Sequence, residues 1–135
     1  MFNIKGEKQS QVEIKKSKFL GFVFCVDSIE AAKSHLDKLK KDYKDARHVV
    51  YAYRLEESGV LREKFDNNKE PGGSAGQPLL YLLQKKDIIN CLIVVVRYFG
   101  GTKLGVGGLM RAYTKAGQGT LLDNLKENGG EEHKN

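Results

Sequence analysis

No stretch of this chain approaches the ~20 consecutive apolar residues that a membrane-spanning helix requires, so no spanning segment is expected. The opening MFNIKGEKQS lacks the apolar core of a secretory signal. Cysteine is scarce: Cys25 and Cys91 each sit inside an apolar, strand-like run. Two buried thiols fit a reducing cytoplasm better than a disulfide framework. Burial also raises a thiol's pKa, which disfavours Cys91 as a nucleophile. Histidine is scarce too. His35, His48 and His133 lie far apart, and no Cys or His pair has ligand spacing, so neither a metal nor another cofactor is expected. Asp66 and Glu70 share a loop that could hold a cation, but Lys69 between them weakens that reading. No complete catalytic constellation is visible.

What is present fits one domain of 135 residues with one sizeable core, the core spanning about 13–125 and a frayed tail covering 126–135. No internal repeat and no linker divides it. The net charge is +6, which favours acidic partners such as RNA without specifying them.

The first 16 residues are polar and lysine-rich, an arm or an edge strand. Phe19 to Val26 reads as a buried strand. Asp27 and Glu30 have the spacing of a capping box, and Ile29, Ala32, Leu36, Leu39 and Tyr43 recur at helical spacing after them. Arg47 to Leu55 alternates as a strand, placing His48 and Arg54 on one side. Glu57-Ser58-Gly59 is a turn into a further strand over about Val60 to Phe65. Asp66 to Gly73 is a loop by composition. Ser74 and Gln77 again have capping spacing, opening a short helix over Leu79 to Leu83 in which Pro78 falls in the first turn. Leu109 to Leu125 reads as the last helix, with Asn128-Gly129-Gly130 as its stop signal.

The chain is organised around Cys91 to Tyr113. Cys91 to Val96 is apolar on both alternate sets of side chains, the mark of a strand buried on both faces. Glycines Gly100, Gly101, Gly105, Gly107 and Gly108 then lead into the last helix. A helix N-terminus offers free N–H groups and partial positive charge. Arg97, Lys103 and Arg111 add full charges around the bend. The corner is therefore a candidate anion or nucleic-acid site, with His48, Arg54, Glu70 and Ser74 as further candidates. Its spacing matches neither nucleotide fingerprint, and the same glycines could serve only tight turns and helix–sheet packing. On the anion-site reading, Arg97 faces the ligand, and replacing Arg97 and Lys103 with alanine should leave folding almost unchanged.

The segments ARHVVYAYR (46–54), EPGGSAGQP (70–78) and VVVRYFGGTKLGVGGLMRAY (94–113) resemble the YigZ/IMPACT family over about residues 13–125. The resemblance implies an α+β, two-layer fold like the second domain of ribosomal protein S5, a four-stranded sheet with helices on one face. It also implies a cytoplasmic, translation-linked protein. Bacterial members usually carry a second, ferredoxin-like domain, for which this chain is too short. Where the family usually reads Asp-Asp-Gly-Glu-Pro-Ser-Gly-Thr, this chain has Asn67 to Ser74 as NNKEPGGS. The expected function is a binding module contacting RNA, the ribosome or a ribosome-bound protein. The alternative is an enzyme acting on a phosphorylated small molecule, by analogy of fold. A protein scaffold is a third reading, and the oligomeric state is open.

Overall fold

The computed structural model describes residues 1–128, so the tail from 129 onward, with Gly129, Gly130 and His133, lies outside the described residues. The strand that organises the fold is β6 (Cys91–Tyr98). It pairs antiparallel with β3 (Ser17–Cys25) on one side and β4 (His48–Glu57) on the other. β2 (Lys8–Ile14) and β5 (Val60–Asp66) complete a five-stranded sheet in the order β2-β3-β6-β4-β5. The four strands expected from sequence are all there. The fifth is the polar N-terminal segment, which takes the edge, where alternating exposed side chains are tolerated. The hairpin between β4 and β5 turns on Ser58 and Gly59 at φ 53° and 76°, the positive values a two-residue turn needs.

A strand has two faces, and both faces of β6 are buried. Ile93 and Val95 join Phe19, Val23, Val50 and Ala52 under α2 (Gly76–Lys85) and α3 (Gly105–Leu121). Leu92, Val94 and Val96 join Phe22, Val49, Tyr51 and Tyr53 under α1 (Ile29–Asp42), through Ala32, Leu36 and Leu39. The expectation of a four-stranded sheet with helices on one face is thus corrected. The sheet has five strands and a helix layer on each side. The physical reason is the apolar run itself: with both alternate sets apolar, each face must be covered.

Local corrections follow the same logic. Ser28, one residue after Asp27, caps α1 by accepting from the Ala31 N–H at 3.0 Å, an interaction of about 1 kcal/mol. Ser74 does not cap α2; its hydroxyl donates to the Pro71 carbonyl at 2.5 Å, and Ala75 precedes the helix without a side-chain cap. α3 begins at Gly105, a turn earlier than expected, and ends at Leu121. Residues Leu125–Glu127 form a short strand, β7, paired with β1 (Phe2–Ile4), where a frayed tail was expected. Cys91 is buried, but Cys25, its direct cross-strand partner, is exposed: it sits at the end of β3, where the helix cover stops. No helix among the described residues is long and apolar enough to cross a membrane.

Candidate functional site

The end of β6 delivers Arg97 to the face covered by α3, directly opposite His48 at the start of β4. The 67–75 loop closes over them. Its shape is set by side chains bonding to backbone, the usual device of Asn and Asp in turns. Asn67 donates to the Pro71 carbonyl at 2.9 Å and accepts from the Gly76 N–H at 2.9 Å. Asn68 accepts from the Val49 N–H at 2.8 Å, which ties the loop to β4. Asn68 and Lys69 stand at φ 45° and 67°, and this reversal turns Glu70 inward.

Glu70 is 6% exposed and Arg97 5%. One Arg97 nitrogen donates to both Glu70 oxygens, at 2.9 and 2.8 Å. The Tyr113 hydroxyl, from α3, donates to the same carboxylate through a short bond. His48 Nε2 lies 3.4 Å from Glu70 Oε1, and its Nδ1 lies 2.7 Å from the Asn68 carbonyl. Ser17 Oγ accepts from the Gly100 N–H at 3.1 Å and faces the other Arg97 nitrogen at 3.5 Å. The Arg97 guanidinium also lies over the Phe19 and Phe99 rings. One carboxylate therefore serves three elements, and Arg97 is a structural cation. The expectation that its removal leaves folding unchanged assumed a surface side chain; Arg97 is instead buried and paired, and removing such a charge is costly.

Burial pushes the Tyr113 hydroxyl above the ordinary tyrosine value, and the bond to Glu70 and the carboxylate's charge add to it. A folded-state pKa raised above the unfolded value means stability that is present at lower pH and lost as pH rises. Beyond the ordinary value of 10.0, the unfolded chain ionises this hydroxyl and the folded chain does not. Stability should then fall by about 1.4 kcal/mol per pH unit for this proton. Cys91, raised by burial from 9.0, contributes a similar loss that starts earlier. Urea unfolding at stepped pH should show Tyr113→Phe losing the part that begins near 10 and keeping the earlier part. An unchanged alkaline slope in that variant would contradict the assignment.

Beside this buried cluster lies a cleft of about 380 Å³. Arg47, His48, Lys69, Glu70, Arg97, Phe99 and Lys103 line it, with Pro71, Leu104, Leu109 and the first α3 residues Gly105 and Val106. Among the sequence candidates, the structure brings His48, Glu70, Arg97 and Lys103 together here. Gly101 and Gly105 take positive φ to make the bend. Gly100 packs against the Lys16 and Ser17 backbone, leaving no room for a Cβ. Gly107 and Gly108 lie in the first turn of α3, but Gly105 and Val106 face the cleft. Arg111 is exposed further along α3 and does not line it. Arg54 lies six residues along β4 from His48, about 20 Å at strand rise, bonded to Glu63 at 2.7 Å and the Ile88 carbonyl at 2.9 Å. Ser74 is buried in its own loop. Sequence reasoning missed Arg47, Lys69, Phe99 and Tyr113. The parity of Arg97 with Ile93 and Val95 was the available signal, since a cation on a core face requires a buried acid. No group of three or more His, Cys, Asp or Glu that could hold a metal ion occurs among the described residues.

Comparison with known proteins places these residues in context. The model of the Impact N-terminal domain matches residues 15–121. The IMPACT family member YvyE of Bacillus subtilis is 37% identical over 115 residues, 85% of this chain and 52% of that protein. The IMPACT family member YigZ of Escherichia coli is 39% identical over 104 residues, 75% of this chain and 50% of that protein. The chain thus spans about half the length of the curated relatives it matches. A crystal structure of a hypothetical protein superposes with a TM-score of 0.82 at 32% identity, covering 93% of this chain and 61% of that one. The structure of the two-domain translational regulator Yih1 superposes with a TM-score of 0.50 at 26% identity, covering 91% of this chain and 47% of that one.

Proposed function

From the premise that this chain belongs to the family of the Impact N-terminal domain, we propose that it is a translation-associated regulatory module, working in the cytoplasm and contacting RNA through its basic cleft. The translational regulator among its structural relatives supports the first half of that reading. The observation that carries the second half is a charge count. The one acid in the cleft, Glu70, is already held by Arg97, Tyr113 and His48. Arg47, Lys69 and Lys103 are exposed beside it and form no salt bridge among the described residues. The N-terminus of α3 adds N–H groups without a side-chain cap. Such a surface attracts phosphates and releases counterions on binding.

The test is a salt titration of a single-stranded RNA oligonucleotide binding to the full chain. Lys69→Ala with Lys103→Ala should weaken binding and flatten the slope of log affinity against log salt by about 0.7 for each phosphate no longer neutralised. Both side chains are exposed, so stability should change by no more than about 0.5 kcal/mol. A slope that the double variant leaves unchanged would reject the cleft as the contact surface. A second reading, an enzyme acting on a phosphorylated small molecule, is favoured by the concavity of the site, whose volume is that of a small-ligand pocket. Turnover of such a compound by the full chain would move the assignment there.

A further inference from the structure

The cleft is lined by two chemically different groups. One is Lys103 with Gly105 and Val106, at the uncapped start of α3. That group suits an anion, because free helix N–H groups and an ammonium both attract negative charge. Arg97 lines the same cleft, 5% exposed, and its Nε has no hydrogen-bond partner among the described residues. A buried donor left open is rare, and the guanidinium that carries it lies over the Phe99 ring.

The other is Arg47. Its backbone N–H donates to the Arg97 carbonyl at 2.9 Å, which fixes its base at the entry to β4. Its guanidinium lies over the Phe99 ring, 4.9 Å from the centroid, and the residue is exposed. An arginine laid on an aromatic ring presents its flat outer surface to solvent and spends little conformational freedom when something stacks on it. A guanidinium plane is one of the two surfaces on which proteins stack unpaired bases, the other being an aromatic ring.

We propose that the cleft holds one nucleoside monophosphate unit, with the base stacked on Arg47 and the phosphate at Lys103 and the α3 N-terminus. The inference rests on the RNA reading above and deepens it. The unit is either one residue of a single strand or a free nucleotide. Phe99 acts here as a positioning residue, holding the Arg47 plane.

The test uses the full chain, with AMP, adenosine, inorganic phosphate and a short single-stranded RNA as probes, followed by amide chemical shifts. AMP is expected to bind at least tenfold more tightly than adenosine or phosphate, because only AMP uses both groups. Arg47→Ala should weaken AMP about tenfold or more and leave phosphate unchanged. The deciding variant is Arg47→Lys. It keeps the charge and loses the plane, so it should bind AMP as poorly as Arg47→Ala does. Full rescue by lysine would overturn the stacking role, as would equal affinities for AMP and phosphate. Phe99→Leu should lower AMP affinity with phosphate binding intact, and an effect on both alike would count against its positioning role. If AMP behaves as expected and RNA does not bind, the nucleotide site stands and the RNA reading falls. If RNA binds with its full salt slope and AMP does not bind at all, the reverse holds.

Discussion

Glu70→Ala is expected to lower stability by about 3–5 kcal/mol, the cost of leaving a buried charge without its partner. Arg97 is 5% exposed, and the guanidinium cannot deprotonate to escape the loss. Three further donors or near neighbours lose their acceptor at once: the second Arg97 hydrogen bond, the Tyr113 hydroxyl and His48. Glu70→Gln should cost less, since an amide oxygen still accepts from one donor. Combining Glu70→Gln with Arg97→Met removes the stranded charge and should recover part of the loss, because replacing both partners of a buried pair is far milder than removing one. Urea unfolding of these three variants, of Arg97→Met alone and of the unaltered protein checks this. A loss below about 1 kcal/mol for Glu70→Ala, or a double variant worse than the sum of its singles, would show that the pair is not the brace described here.

Gly100→Ala is the second large effect, and its cause is space. A Cβ there would lie 2.2 Å from the Lys16 carbonyl carbon, 2.4 Å from its oxygen and 2.5 Å from the Ser17 nitrogen. These are backbone atoms at the start of β3, so no side chain can swing aside. The bend carrying Phe99 must move, and the bond from the Gly100 N–H to Ser17 Oγ goes with it. The expected loss is about 3 kcal/mol, the upper end for an overpacked site. Gly107→Ala is the control. Its Cβ would meet only the flexible end of Arg111, at 3.4 Å, and alanine suits a helix better than glycine. It should be neutral or stabilise by up to about 1 kcal/mol. Thermal unfolding of the two variants separates a glycine needed for close approach from one that is not. Equal losses would refute the distinction.

The main strands and helices could be read in the sequence because their signals are local. The apolar run of β6 and the alternation of β4 need only neighbours a few residues apart to be recognised. The same alternation puts Arg97 on the side of Ile93 and Val95. The error came from setting aside a signal of the same kind. Leu92, Val94 and Val96 are as apolar as their neighbours, which demands cover on the second face, and α1 supplies it. The resemblance had implied helices on one side only. The site was less legible because its partners are brought together across the chain. Glu70 reaches Arg97 only through a loop held by Asn67 and Asn68, and neither the positive φ at Asn68 and Lys69 nor the placement of Arg47 over Phe99 has a local sequence mark. Arg54 misled for the opposite reason: parity puts it with His48, but parity says nothing about distance along the strand.

The sheet order β2-β3-β6-β4-β5 also fixes a sequence of events in time. The central strand is the last of the five to be synthesised. Until it emerges, the chain can form two hairpins, β2 with β3 and β4 with β5, and each holds an inner edge of unpaired backbone groups. Neither hairpin has a core to rest on, since Ile93 and Val95 on one face and Leu92 and Val94 on the other are still missing. The two halves therefore remain separate, each barely stable alone. β6 closes both gaps in one step, carrying Arg97 to Glu70 as it enters. Folding of this protein should accordingly be dominated by one late, long-range closure, and the newly made chain is most exposed to edge pairing with other chains just before β6 emerges.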